Sequence, residues 1–169
     1  MAFGFLPLLG AYLVFFFFPG LIPSGTTNEG TLISPPVGMT VLGDAVTSQI
    51  PAGKWTLLIF ADEPCGADCQ QAIYLARQVN TALGKDADRV QRALLLPSGQ
   101  LPAGVDVAGY PDMVIHYQAP TLSRTGLPGN ATIYLADPVG NIILYYTPGQ
   151  DGKAMLKDLK HLLKLSNIG

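Results

Sequence analysis

Hydrophobic and polar positions divide this chain into segments of different period. From Phe3 to Ile22 it reads FGFLPLLGAYLVFFFFPGLI, without a charged side chain. Twenty helical residues span about 30 Å, the thickness of a bilayer core. The run predicts a transmembrane anchor over residues 1–23. Pro7 and Pro19 fall near its ends, where a helix tolerates them best. No basic stretch precedes the run and no small-residue cleavage site follows it, so an uncleaved anchor is favoured over a secretory signal. Residues 24–38, SGTTNEGTLISPPVG, have a linker composition and predict a tether.

The remainder, 39–169, predicts one folded domain. MTVLGDAV reads as a short strand. KWTLLIFA, 54–61, is continuously apolar, as in a strand buried on both faces. In the segment that follows, Ala72, Leu75, Ala76, Val79 and Leu83 share one helical face, and Gly84 suits its end. RVQRALLLP, 89–97, completes a β–α–β unit, which implies parallel strands with a right-handed crossover. Residues 98–131 are rich in Gly and Pro, with one short apolar piece, MVIHY; a short helix or turn is expected there. ATIYLADPVGNIILYY predicts a hairpin turning at Asp137-Pro138-Val139-Gly140-Asn141. The last segment is an amphipathic helix with Met155, Leu159, Leu162 and Leu163 on one face and Lys153, Lys157, Lys160 and Lys164 largely on the others. It reads as a cover over the sheet; a membrane-surface helix is the other reading. Strand–helix–strand, hairpin, helix is the order of a thioredoxin-like α/β domain, here carried by an N-terminal transmembrane helix.

Composition narrows the function. Charged residues make up 13% of the chain, about half the usual fraction, and the net charge is -2. The first Lys or Arg is Lys54 and no basic block occurs, which excludes nucleic acid as a partner.

The chain has two cysteines, Cys65 and Cys69, where the central strand gives way to the helix. Positions i and i+4 of a helix share a face at a Cα separation of roughly 6 Å, which a disulfide can bridge. The ring so closed is small and constrains the unfolded chain little, so a purely structural staple is disfavoured. Cys65 follows Pro64 at the expected helix start, where unpaired N–H groups favour a thiolate. Asp62, Glu63 and Asp68 oppose this, since like charge raises a thiol pKa. Redox exchange, soft-metal binding and an inert pair remain open at this point. His116 and His161 carry no motif and read as ordinary surface or hydrogen-bonded residues.

The N-terminal anchor, the Pro-containing tether, WTLLIFADEPCGADCQQAI and ATIYLADPVGNII together resemble the Sco/SenC family. The resemblance covers roughly residues 35–165. It implies a membrane-anchored thioredoxin-like protein of cytochrome c oxidase assembly, in the inner membrane with a single span and its soluble domain in the periplasm. The family binds copper through a C-x-x-x-C pair and a histidine, and its cysteines can act as a thiol–disulfide couple. Cys65 and Cys69 match that pair. The place of the histidine falls near Gly129, and TGLPGNAT contains none. Three readings follow. The first is a thiol–disulfide oxidoreductase with Cys65 and Cys69 as catalytic residues, acting on a partner such as an oxidase subunit or assembly factor, with Cys65 the attacker by its expected exposure. The second is a Cu(I) chaperone with the same two residues as ligands. The third is a non-catalytic scaffold. Two thiolates alone suit Cu(I) better than Cu(II).

Overall fold

A computed structural model of the chain describes residues 4–18, 27–61, 64–103, 105–117, 126–129, 131–166 and 168. In chain order the elements are α1 (Phe5–Phe17), β1 (Thr31–Gly38), α2 (Asp44–Thr47), β2 (Trp55–Phe60), α3 (Ala67–Ala82), β3 (Val90–Leu96), β4 (Met113–Tyr117), β5 (Ile133–Ala136), β6 (Asn141–Tyr146) and α4 (Gly152–Leu165). Short 3-10 turns join several of them.

One six-stranded sheet runs in the order β1-β6-β5-β2-β3-β4. β2, β3 and β4 are parallel; β5 pairs antiparallel with β2, β6 with β5, and β1 with β6. All six residues of β2 are buried, as a continuously apolar run requires between two covered faces. Leu57 and Ile59 face α3 and α4, together with Leu94, Leu96, Leu135, Leu159 and Leu163. Leu58 and Phe60 face the other way, onto Ala93, Leu95, Tyr134, Met39, Leu42 and Val46. Each fully buried Leu or Ile contributes about 1.5–3 kcal/mol by leaving water. α3 buries Cys69, Ala72, Ile73, Ala76 and Val79, at helical spacing. The predicted hairpin is present. Asp137 Oδ1 accepts from the N–H groups of Val139, Gly140 and Asn141 at 3.0, 2.8 and 2.8 Å, and Gly140 takes the positive φ of 100° that the turn needs.

Three expectations change. Residues 31–38, read as part of the tether, form the edge strand β1, with Ile33 buried. Its ladder with β6 breaks between Leu32 and Val37, and Pro35 and Pro36 lie in that break, on an edge, where a missing N–H costs no sheet bond. Residues 39–46 are not a strand. Met39–Leu42 is a 3-10 turn followed by α2, because Gly43 at φ 86° breaks an extended path and Met39, Leu42 and Val46 recur at helical spacing against the sheet. MVIHY forms β4, a strand parallel to β3 at the far edge.

Of the predicted anchor, residues 4–18 are described. α1 has 13 residues, all exposed, and would span about 20 Å. Among the described residues no helix is long and apolar enough to cross a membrane. Residues 1–3 and 19–23 of the predicted span lie outside the described residues.

Candidate functional site: the cysteine pair at the β2–α3 turn

β2 continues its parallel ladder one step past its end, with the Ala61 N–H donating to the Leu95 carbonyl at 3.0 Å. The chain then turns into α3 through Pro64, Cys65 and Gly66. Gly66 is the N-cap of α3 and, as a glycine, supplies no side-chain cap of its own. Gln70 reaches back, donating from Nε2 to the Cys65 carbonyl at 3.3 Å, and so holds the turn against the helix.

Cys65 and Cys69 are joined in a disulfide with Cα atoms 5.2 Å apart. The expected proximity is thus realised. The expected exposure of Cys65 is not: it is 5% exposed and Cys69 1%. Both pack into the cluster that includes Ala61, Ala72, Ala131 and Ile133, with Leu101, Val105 and Tyr110 against that cluster from the segment after β3. Long-range packing covers the turn, which local spacing does not reveal. Cys65 remains the less buried residue of the two. Of the acidic residues set against it, Asp68 sits exposed in the first turn of α3, while Asp62 and Glu63 lie outside the described residues.

The loop before β5 closes the site from the other side. Ala131 has φ 63°, the left-handed region that L residues seldom occupy, and its N–H donates to the Phe60 carbonyl at 3.1 Å. This contact fixes Ala131 beside the end of β2, in the same cluster as both cysteines. Tyr134 donates its hydroxyl to the Pro128 carbonyl, and burial raises its pKa above the usual 10. Leu127–Pro128 is not among the cis peptide bonds of the described residues; Ser34–Pro35 is. At Gly129, the place of the family histidine, an added Cβ would meet nothing within 4 Å.

His116 and His161 do not join the cysteines. His116 lies beside Leu95 in the β3–β4 register, so it projects from the sheet face opposite α3. It is buried, its Nε2 has no hydrogen-bond partner among the described residues, and burial lowers its pKa below the usual 6.5. His161 is exposed on α4. Among the described residues no group of three or more His, Cys, Asp and Glu is placed to hold a metal ion. The chemistry on hand is that of two sulfurs. A small cleft of about 30 Å³ lies alongside, between Asp68 and Ala72 of α3 and Ala131, Tyr146 and Gln150. It is far below the roughly 300 Å³ of a small-molecule site.

One buried carboxylate escaped the sequence reading. Asp158 Oδ2 accepts from the Gly30 N–H at 2.8 Å and the Tyr146 hydroxyl at 3.0 Å, and both carboxylate oxygens accept from the Glu29 N–H at 3.0 Å. Burial, the Asp158 charge and this hydrogen bond raise the Tyr146 pKa above its usual 10. The signal was present: Asp158 occupies an apolar-face position of the last helix, three after Met155 and one before Leu159.

Residues 55–166 match the family described as "Transmembrane-like, thioredoxin-like, C-terminal domain". The chain belongs to that family. The Sco/SenC resemblance holds at the level of fold. Apo Sco1 of Thermus thermophilus superposes with a TM-score of 0.54 at 18% identity, covering 82% of this chain and 99% of its own. Copper-bound ScoI of Arabidopsis thaliana gives 0.51 at 12% identity, over 81% and 99%. BsSco, a member of the Sco family of cytochrome c oxidase assembly proteins in which a disulfide switch is identified, gives 0.50 at 13% identity, over 82% and 94%. No curated protein matches the sequence.

Proposed function

We propose that this chain is a membrane-anchored thiol–disulfide oxidoreductase that exchanges disulfides with cysteines of a partner protein through Cys65 and Cys69. The observation that carries this is the pair itself: two cysteines closed into a disulfide at a strand-to-helix turn, at the N-terminus of α3. In the reduced state the Cys65 thiolate attacks a partner disulfide. A Cys65–partner bond forms and one partner thiolate leaves. Cys69, deprotonated, then attacks the Cys65 sulfur and displaces the second half as a dithiol. Two electrons pass to the partner, and the two protons released by the cysteines are taken up by its thiolates. Cys65 is the attacker because it is the less buried of the two.

The charge-free N-terminus supports the anchor, and the disulfide supports a periplasmic domain on the inner membrane, where disulfides persist. The fold shared with Sco proteins supports a partner in cytochrome c oxidase assembly.

The test is single-turnover exchange between the reduced full chain and a peptide disulfide. Cys69→Ser should stop at a stable mixed disulfide, whereas Cys65→Ser should form none. Equal reaction of the two variants would refute the assigned roles, and no reaction of the parent would refute the function.

The Cu(I)-chaperone reading draws support from the adjacency of two soft sulfurs and from the copper-bound Arabidopsis protein of like fold. Competition of the reduced chain with a Cu(I) chelator separates it. A tight one-to-one complex lost in Cys69→Ser favours cargo transfer, and absence of binding leaves the redox reading.

A further inference from the structure

The four lysines of α4 form one stripe. Lys153, Lys157, Lys160 and Lys164 follow each other at spacings of four, three and four, so they share a helix face, and all are exposed. They are four of the ten basic residues in the chain, against a single acidic residue on α4, Asp158, which is buried. α4 therefore carries +3 formally, and the remaining residues, with 6 basic and 11 acidic side chains, carry -5. The helix is cationic on an otherwise acidic protein.

The N-terminal chain leaves the domain beside this stripe. Lys157 Nζ pairs with Glu29 Oε1 at 2.5 Å, and the Asp158 carboxylate fixes Glu29 and Gly30. Thr27 and Asn28 line a groove of about 230 Å³ with Leu32, His161, Leu162 and Leu165. Leu32 is about half exposed, Leu165 more so, and so is Ile168 just beyond the helix. From Phe18, the last described residue after α1, to Thr27 is nine peptide units, at most about 32 Å when fully extended. If α1 lies in a bilayer, the α4 and β1 flank is held within that reach of its surface. A cationic stripe with apolar residues at its end is complementary to anionic phospholipid headgroups.

We infer that the domain rests on the membrane through this flank, with the lysine stripe of α4 and the Leu32–Leu165 groove against anionic lipid. This rests on the reading of residues 1–23 as an anchor. The docked pose leaves β4, at the opposite edge of the sheet, as the strand farthest from the bilayer. It also restricts the partner to one whose cysteines lie close to the membrane surface, since Cys65 cannot move far from it. Each lysine near an anionic surface shifts the ratio of docked to free domain by about fivefold.

The full chain, with its native disulfide kept oxidised, is reconstituted into phosphatidylcholine vesicles with and without phosphatidylglycerol, both doped with nitroxide-labelled lipid. Single fluorophores are placed at Leu165→Cys and at Tyr117→Cys, an exposed position on β4. Flotation reports the anchor and quenching reports the pose. The expected result is flotation with both vesicle types, and quenching of the Leu165→Cys label over the Tyr117→Cys label in the anionic vesicles, abolished in salt of about 0.5 M, where the Debye length falls to about 4 Å. Lys160→Glu/Lys164→Glu should lower the docked-to-free ratio by on the order of 25-fold or more. Lys160→Gln/Lys164→Gln should weaken it less, and circular dichroism checks the fold of both variants. Flotation with equal quenching of the two labels overturns the docked pose and leaves the anchor standing. Failure to float overturns both.

Discussion

Replacing Asp158 by alanine is a demanding test of how the N-terminal chain is held to the domain. The carboxylate accepts from the N–H groups of Glu29 and Gly30 and from the Tyr146 hydroxyl, at 2.8–3.0 Å. Asp158 is 4% exposed and Tyr146 2%, so water does not readily replace the lost acceptor. An unsatisfied buried donor costs about 1–3 kcal/mol. Two such donors, Gly30 N–H and Tyr146 O–H, with a smaller share for the less buried Glu29 N–H, give a loss of about 3–5 kcal/mol. Asp158→Asn keeps one acceptor oxygen but turns an N–H₂ toward the donors, so it should fall between the parent and alanine. Tyr146→Phe removes one donor and leaves the carboxylate its two backbone partners, at about 1 kcal/mol. Guanidinium unfolding of the full chain in detergent reports all three, through the fluorescence of Trp55, the single tryptophan and a buried one. A loss below about 1 kcal/mol for Asp158→Ala would show that the donors find other partners and that the clamp does not hold this segment.

Other predictions use the same assay. A Cβ at Gly30 would lie 2.6 Å from Tyr146 Cε1, so Gly30→Ala should cost about 1–3 kcal/mol by overpacking, partly relieved in Gly30→Ala/Tyr146→Phe if the ring can shift. Burial lowers the His116 pKa, so the unfolded chain takes up a proton near pH 6.5 that the folded chain refuses; stability present above pH 6.5 should fall as the pH drops below it, and His116→Leu should flatten that fall. Burial raises the pKa of Tyr134 and Tyr146, so the unfolded chain ionises first; stability should be full below pH 10 and decline above it, less steeply in Tyr146→Phe.

What the sequence made legible follows its periodicities. β2 was readable because six buried residues in a row leave no polar alternative, and α3 because its apolar positions repeat at 3.6. The hairpin was readable from turn chemistry at Asp137 and Gly140. β1 was hidden because Pro35 and Pro36 mimic a linker, and their tolerance depends on an edge position that local sequence does not encode. At the site, the four-residue spacing placed Cys65 and Cys69 together, but the cluster that buries them includes Ala131 and Ile133, more than sixty residues away in the chain. The opposite projection of His116 likewise depends on the register of β4 against β3.

The central claim is that Cys65–Cys69 opens and closes within the folded domain. The direct measurement is equilibration of the full chain across a series of dithiothreitol and glutathione buffers, with the thiol state read by alkylation and the fold by Trp55 fluorescence in the same samples. The account predicts a single reversible two-electron transition during which the fluorescence stays native. Reduction that occurs only together with loss of the native fluorescence would contradict it, and would leave the bridge as a structural staple.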